Sequence, residues 1–286
     1  MTYDIIIIGA GPAGISAALY AKRANKNVLV LYYGEAQLEK AHTVDNYYGT
    51  GSISGAELYK NGIEQARALG VEVKNEEVLH LSMQADFSYE VKTSAADYQC
   101  GALILATGNK KVRPNIAGVA DFEGKGISYC AICDGFFYRG KTVAVLGSGD
   151  YALSEAGDLE NIVQKLYILT DGAPAPETDK YEIISKKIAE ISGDGRLGGV
   201  LFEDGTSLEL NGLFVALGVA GGADFAKKLG VALDGDSIKV NPDMSTNAPG
   251  VFACGNVTGG LLQVCKAVYE GAEAGLAAVN YLKNKN

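Results

Sequence analysis

Residues 4–35 read DIIIIGAGPAGISAALYAKRANKNVLVLYYGE, and this stretch decides the fold. Four isoleucines at 5–8 run into Gly9, Gly11 and Gly14, a helix-forming segment ISAALYAKRA follows, and VLVL at 28–31 closes the unit. Strand, glycine turn, helix, strand is the context that gives the GxGxxG fingerprint its meaning. One glycine makes the tight turn, one lets pyrophosphate approach bare backbone, and one lets the helix lie close on the strand. An anion then sits on free N–H groups at the positive end of the helix dipole.

Residues 141–171, KTVAVLGSGDYALSEAGDLENIVQKLYILTD, repeat the pattern, with Gly147, Gly149 and Ala152 at the fingerprint positions. Two such units predict an α/β protein of two Rossmann-like, doubly wound lobes. Glycine turns between strand and helix also occur without a ligand, so either fingerprint taken alone leaves that reading open. Between the units a strand ends at Ala106, Thr107 and Gly108, and the polar run NKKVRPN at 109–115 reads as a crossover. Pro242 and Pro249 mark a second crossover, followed by a strand, VFACG, and a helix from about Gln263 to Leu282. The expected organisation is one lobe from 1–112 and 244–286 and an inserted central lobe at 113–243.

The chain has 286 residues, long enough for about two cores. Hydrophobic residues at 48% and charged residues at 21% describe a soluble globular protein, and 37 glycines suit many tight turns and close backbone approaches. A net charge of −9 argues against a nucleic-acid partner, which asks for a basic face. No apolar run reaches the roughly 18 residues of a membrane span, and the N-terminal stretch lacks the basic flank and cleavage site of a signal peptide. The expected location is cytoplasmic.

The 128–140 stretch, SYCAICDGFFYRG, holds Cys130 and Cys133 two residues apart, with Asp134 attached. Five cysteines are an odd number and do not form a secreted disulfide framework; in a reducing compartment a CxxC is catalytic or metal-binding. Zinc needs two further ligands at suitable spacing. Only His42, His80 and isolated Cys100, Cys254 and Cys265 are on offer, so no metal is expected and those three cysteines read as buried small hydrophobes. The dithiol reading fits the spacing: both sulfurs meet in a small ring, and exchange with another disulfide proceeds by thiolate attack through a mixed disulfide.

GAGPAG at 9–14, ATG at 106–108, CAICD at 130–134, GSGDYA at 147–152 and VFACGNV at 251–257 together closely resemble the low-molecular-weight thioredoxin reductases, in the right order over nearly the whole chain. The resemblance implies FAD in the lobe made of both chain ends, a central lobe carrying the redox dithiol, a homodimer, and thioredoxin as protein substrate. By it, Gly9, Gly11, Pro12, Ala13 and Gly14 hold the FAD pyrophosphate. Ala106, Thr107 and Gly108 line the same site, Gly255 and Asn256 lie near the ribityl chain, and Gln263 with Val264 near the isoalloxazine. Cys133 faces the flavin, Cys130 exchanges with the protein substrate once the central lobe rotates about the crossovers, and Asp134 supplies and removes the proton. Two departures stand out: Asn256 replaces the family's aspartate, and EAQLEKAHTVDNYYG at 35–49 replaces a Gly-Gly-Gln stretch.

The family's usual donor is NADPH, held by an arginine set after the second strand of the central lobe. Here Thr170, Asp171 and Gly172 stand at that place, and no arginine occurs between Arg139 and Arg196. A 2′-phosphate would meet a carboxylate instead of guanidinium groups. Asp171 suits the 2′-hydroxyl of NADH. The other reading, and the preferred one, resembles the ferredoxin-dependent flavin thioredoxin reductases, in which no pyridine nucleotide takes part. A ferredoxin near −400 mV feeding thioredoxin near −270 mV releases about 6 kcal/mol for two electrons. Candidate docking residues for an acidic ferredoxin are Lys110, Lys111 and Arg113, or Lys186 and Lys187. A contrasting class is a flavin-bearing redox sensor without turnover.

Overall fold

The computed structural model describes residues 1–108, 114–218, 221–235 and 237–285. The first stretch contains β1 (Thr2–Ile8), α1 (Pro12–Arg23), β2 (Val28–Tyr32), α2 (Gly55–Ala68), β3 (Glu72–Asn75), β4 (Val78–Met83), β5 (Tyr89–Thr93) and β6 (Asp97–Leu105). The middle stretch contains α3 (Val119–Phe122), β7 (Ile127–Ser128), α4 (Ala131–Asp134), β8 (Thr142–Leu146), α5 (Asp150–Leu159), β9 (Lys165–Leu169) and β10 (Glu182–Ile184). It continues through β11 (Ile188–Asp194), β12 (Arg196–Phe202), β13 (Ser207–Glu209) and β14 (Gly212–Val215). The last residues form α6 (Gly222–Lys228), β15 (Leu233–Asp234), β16 (Ser237–Ile238), β17 (Val251–Ala253) and α7 (Val264–Lys285).

The chain divides into two compact units, Met1–Lys110 with Gly221–Asn286, and Lys111–Ala220. In the first, the sheet runs β3-β2-β1-β6-β5-β4, with β17 parallel to β6 at residues 103–105. Ile5, Ile6 and Ile7 are fully buried, as parallel strands covered on both faces require. Their register sets Ile5 against both Val28 and Ala102. The chain ends meet because α1 and α7 approach backbone to backbone: a Cβ on Gly271 would lie 2.1 Å from the Ala13 carbonyl oxygen, and one on Gly275 2.6 Å from that of Ala17. Ser16 seals the contact by donating to the Val268 carbonyl at 2.7 Å.

The second unit holds a parallel five-stranded sheet, β10-β9-β8-β14-β7, and an antiparallel meander, β11-β12-β13. Both units therefore have the expected Rossmann-like α/β character. The second crossover does not fall near residue 244, as the prolines suggested; it comes before Gly221. Residues 221–243 belong to the first unit because small and polar groups tie them there. Gly222 sits where a Cβ would lie 2.2 Å from Val257, Phe225 and Ala226 are buried, and the Asn247 side chain bonds to the Ala232 N–H at 2.7 Å and the Gly230 carbonyl at 2.9 Å. The first crossover, at 109–113, with Lys110, Lys111 and Arg113, lies outside the described residues.

Candidate active site

In the first unit the loops leaving β1, β6 and β17 converge at the carboxyl edge of the sheet, where open α/β folds bind ligands. Gly9 has φ +114° and a Cβ there would lie 2.2 Å from the Ala106 carbonyl oxygen, so only glycine makes this turn. Gly14 packs on the turn itself, 1.8 Å from Gly9 O by the same measure, while Gly11 faces open space. Helix α1 starts at Gly11 with Pro12 in its first turn and no side-chain cap, which leaves its first amides for an anion. Thr107 Oγ1 is buried without a hydrogen-bond partner among the described residues. An orphaned hydroxyl beside bare backbone is a ligand cradle.

Gly255, at φ +83°, turns the chain after β17 and would clash with Ala13 through a Cβ 2.8 Å away. Its amide donates to Glu270 Oε2 at 2.8 Å. Lys266 completes a small buried network, with Nζ 2.9 Å from the Gly255 carbonyl, 2.9 Å from Thr258 Oγ1 and 3.0 Å from Glu270, and donating also to the Gly259 carbonyl. Asn256 is half-buried and Val264 begins α7. Gln263 Oε1 accepts from Asn46 Nδ2 at 3.1 Å, which ties the divergent 35–49 stretch to the start of α7. Lys266, Glu270 and Asn46 escaped sequence reasoning. A Lys–Glu pair four apart at the start of an otherwise small and apolar helix was the available signal.

The dithiol lies in the second unit at the end of β7. Cys130 and Cys133 are joined as a disulfide, with Cα atoms 5.4 Å apart. Cys130 caps α4: its backbone is extended and its sulfur accepts the Cys133 N–H at 3.3 Å. Two further groups hold the turn, and Tyr138 lies nearby. Glu155 of α5, 1% exposed, accepts the Ala131 N–H at 2.8 Å. Ser128 Oγ accepts the Cys130 N–H at 3.1 Å and donates to Asp134 Oδ2 at 2.6 Å. Tyr138 packs edge-on against Phe214, and burial, followed by the Asp134 charge, raises its phenol. Cys130 is buried and Cys133 exposed. Ile132, Phe136 and Phe137 are exposed beside them, the two phenylalanines at 66% and 70%.

Of the other cysteines, Cys100 and Cys254 are buried as expected, and Cys265 is not; it is exposed on the first turn of α7. Burial pushes the Cys100 thiol up to about 12 and the Cys254 thiol higher still, which removes both from thiolate chemistry near neutral pH. Asp171 has φ +50° and its carboxylate accepts the Ile188 N–H at 2.7 Å and faces Lys187 at 3.4 Å.

The pyridine nucleotide-disulphide oxidoreductase family model matches residues 3–271, and the chain belongs to that family. Within it, the chain is 34% identical to the thioredoxin reductase of Aquifex aeolicus (strain VF5), over 99% of this chain and 94% of that one. The structure of an atypical thioredoxin reductase from Desulfovibrio vulgaris Hildenborough superposes with TM-score 0.92 at 41% identity, covering 98% of each chain. A ferredoxin-flavin thioredoxin reductase from Clostridium acetobutylicum superposes with TM-score 0.73 at 33% identity, covering 99% of each. The protein is thus an oxidoreductase of the thioredoxin reductase group, a flavoprotein that carries FAD. The cradle fits that group: bare Gly11, uncapped α1 amides and the orphaned Thr107 hydroxyl match a phosphate-bearing, hydroxyl-rich ligand.

Proposed function

We propose that this chain passes electrons from reduced ferredoxin, through FAD, to the disulfide of thioredoxin, with Cys130 and Cys133 as the exchanging pair. The observation that carries the choice of donor is the absence of arginine from 140–195 together with the state of Asp171. One Asp171 oxygen is committed to the Ile188 amide, and the carboxylate repels a 2′-phosphate. The segment that follows is tied to the residue that ends the second unit's own α5, with Tyr181 on Glu160 at 2.8 Å and Lys180 on the same carboxylate at 2.6 Å. An NADH ribose would have to displace part of this arrangement. The likeness to the Clostridium enzyme, whose name states ferredoxin and flavin, points the same way.

Lys186 and Lys187 are poor docking charges for ferredoxin, being paired with Asp204 at 2.8 Å and Asp171 at 3.4 Å. The donor is read directly by anaerobic titration of the flavin absorbance. Bleaching by reduced ferredoxin alone is expected; rapid bleaching by NADH or NADPH overturns the assignment.

Gly9, Gly11, Pro12, Ala13 and Gly14 would hold the FAD pyrophosphate, Ala106, Thr107, Gly108, Gly255 and Asn256 the polar chain, and Gln263 and Val264 the ring. Bound there and reduced by the donor, FAD would supply the two electrons that open the Cys130–Cys133 disulfide. The residues around the dithiol do the rest. When those electrons break the S–S bond, Cys130 would be left as a thiolate that the Cys133 N–H and the start of α4 stabilise. In the exchange with thioredoxin, two S–H groups lose two electrons and two protons as the internal S–S bond re-forms, and the substrate disulfide becomes two thiols. Asp134 takes a proton from one cysteine and returns it to a departing thiolate. Phe136, Phe137 and Ile132 offer the apolar surface on which a protein disulfide can seat.

The same reading includes a homodimer in the reducing cytoplasm. Tyr269 and Leu276, two turns apart on α7 and exposed, form the apolar face offered to a second copy, and sedimentation equilibrium tests it.

A further inference from the structure

We infer that Ser128 is a positioning residue for proton transfer, directing the proton to one oxygen of Asp134; the inference rests on the acid–base role proposed for Asp134. A one-turn helix such as α4 holds its last side chain poorly, and Asp134 is only half-buried. What fixes its carboxylate comes from the sheet. Ser128 is the last residue of β7, 6% exposed and in parallel register with Phe214 of β14. Its hydroxyl has one proton and three neighbours: the Cys130 N–H, which it accepts at 3.1 Å, the Cys130 carbonyl at 3.4 Å, and Asp134 Oδ2 at 2.6 Å. The carboxylate is the nearer and the charged acceptor, so it receives the proton.

Two consequences follow from this geometry. Oδ2 is engaged by a donor, so a proton arriving from a cysteine thiol enters at Oδ1 and leaves from there to the departing thiolate. The S–H bond breaks as the carboxylic O–H forms, and that O–H breaks as the new S–H forms. Because the same hydroxyl binds the Cys130 amide, the acid and the first sulfur are held on one atom. Movement of the dithiol turn would carry both.

The test uses the FAD-loaded protein with its dithiol reduced beforehand, mixed with two small disulfides over a range of pH. Hydroxyethyl disulfide releases a basic thiolate that needs a proton; dithiobis(nitrobenzoate) releases one that does not. Ser128→Ala should slow exchange with the first about tenfold near neutral pH and the second distinctly less, since only the uptake of the cysteine's proton is then affected. Ser128→Thr should restore both. Ser128→Ala combined with Asp134→Asn should be no slower than Asp134→Asn alone. If Asp134→Asn is slow but Ser128→Ala slows both disulfides equally at every pH, or neither, the inference falls and the role of Asp134 stands. If Asp134→Asn matches the native rate, that role falls and takes the inference with it. Thermal unfolding and the flavin spectrum establish that each variant is folded.

Discussion

Replacing Lys266 by methionine removes one ammonium from beneath the Gly255 turn and keeps the length of the side chain. The pair it breaks is well enclosed, with Lys266 and Glu270 side chains 16% and 12% exposed. Glu270 keeps the Gly255 amide and the Thr258 hydroxyl as donors, whereas the Gly255 and Gly259 carbonyls and Thr258 all lose a donor. Breaking a buried pair from one side costs 3–5 kcal/mol, and the donors left to Glu270 place this case at the lower end, about 3 kcal/mol. A loss of that size lowers the urea midpoint by about 1 M in a protein of this length. The turn held at φ +83° by this network is part of the FAD cradle, so FAD affinity should fall by up to about 100-fold in a fluorescence titration. Adding Glu270→Gln removes the stranded charge and should recover part of the loss. An unchanged urea midpoint with unchanged FAD affinity in Lys266→Met would refute the reasoning, as would a double variant that is additively worse.

Phe136→Ala with Phe137→Ala should raise KM for thioredoxin about tenfold or more while exchange with hydroxyethyl disulfide stays within twofold, as removal of exposed anchors from a docking surface predicts; equal loss with both substrates would place these rings in the exchange step instead. In the disulfide form, an alkylating reagent near neutral pH should label Cys265 alone, with Cys100 and Cys254 reacting only after unfolding, and mass spectrometry of the labelled peptides reads this. Because the Cys100 thiol rises from 9.0 to about 12 on folding, the folded protein keeps a proton that the unfolded chain releases. That contribution to stability is complete below pH 9 and drains away as pH climbs toward 12, so urea midpoints measured across this range should fall and those of Cys100→Ala should fall less.

The first fingerprint was readable because parallel strands buried on both faces leave an unbroken apolar run, and because the Gly9 turn admits no side chain. The disulfide was readable because its spacing is local, two cysteines packed into four consecutive residues. The second unit boundary was not. Pro242 and Pro249 looked like punctuation for a crossover, while the contacts that assign residues 221–243 come from Gly222 and Asn247, residues with no periodic signature. Ser128 and Glu155 escaped for a similar reason. One acquires its partner only when the chain turns from β7 into α4, and the other only when α5 packs against α4. Cys265 was misjudged because helix periodicity does not say which face of α7 the first turn presents.

The hydrogen bond from the Ala131 amide to Glu155 joins the dithiol turn to the helix that follows the second glycine motif. Gly147, at the head of that helix, has a carbonyl oxygen 2.2 Å and the Ala152 Cβ 2.8 Å from where its own Cβ would be. Gly147 is therefore under constraint whether or not a nucleotide ever visits, whereas Gly149 faces open space. A lineage could exchange one source of electrons for another and still be obliged to keep Gly147, since altering it would tilt the platform on which the sulfurs stand. That first glycine is a record of how a helix meets a sheet, and by itself it is silent about the fuel.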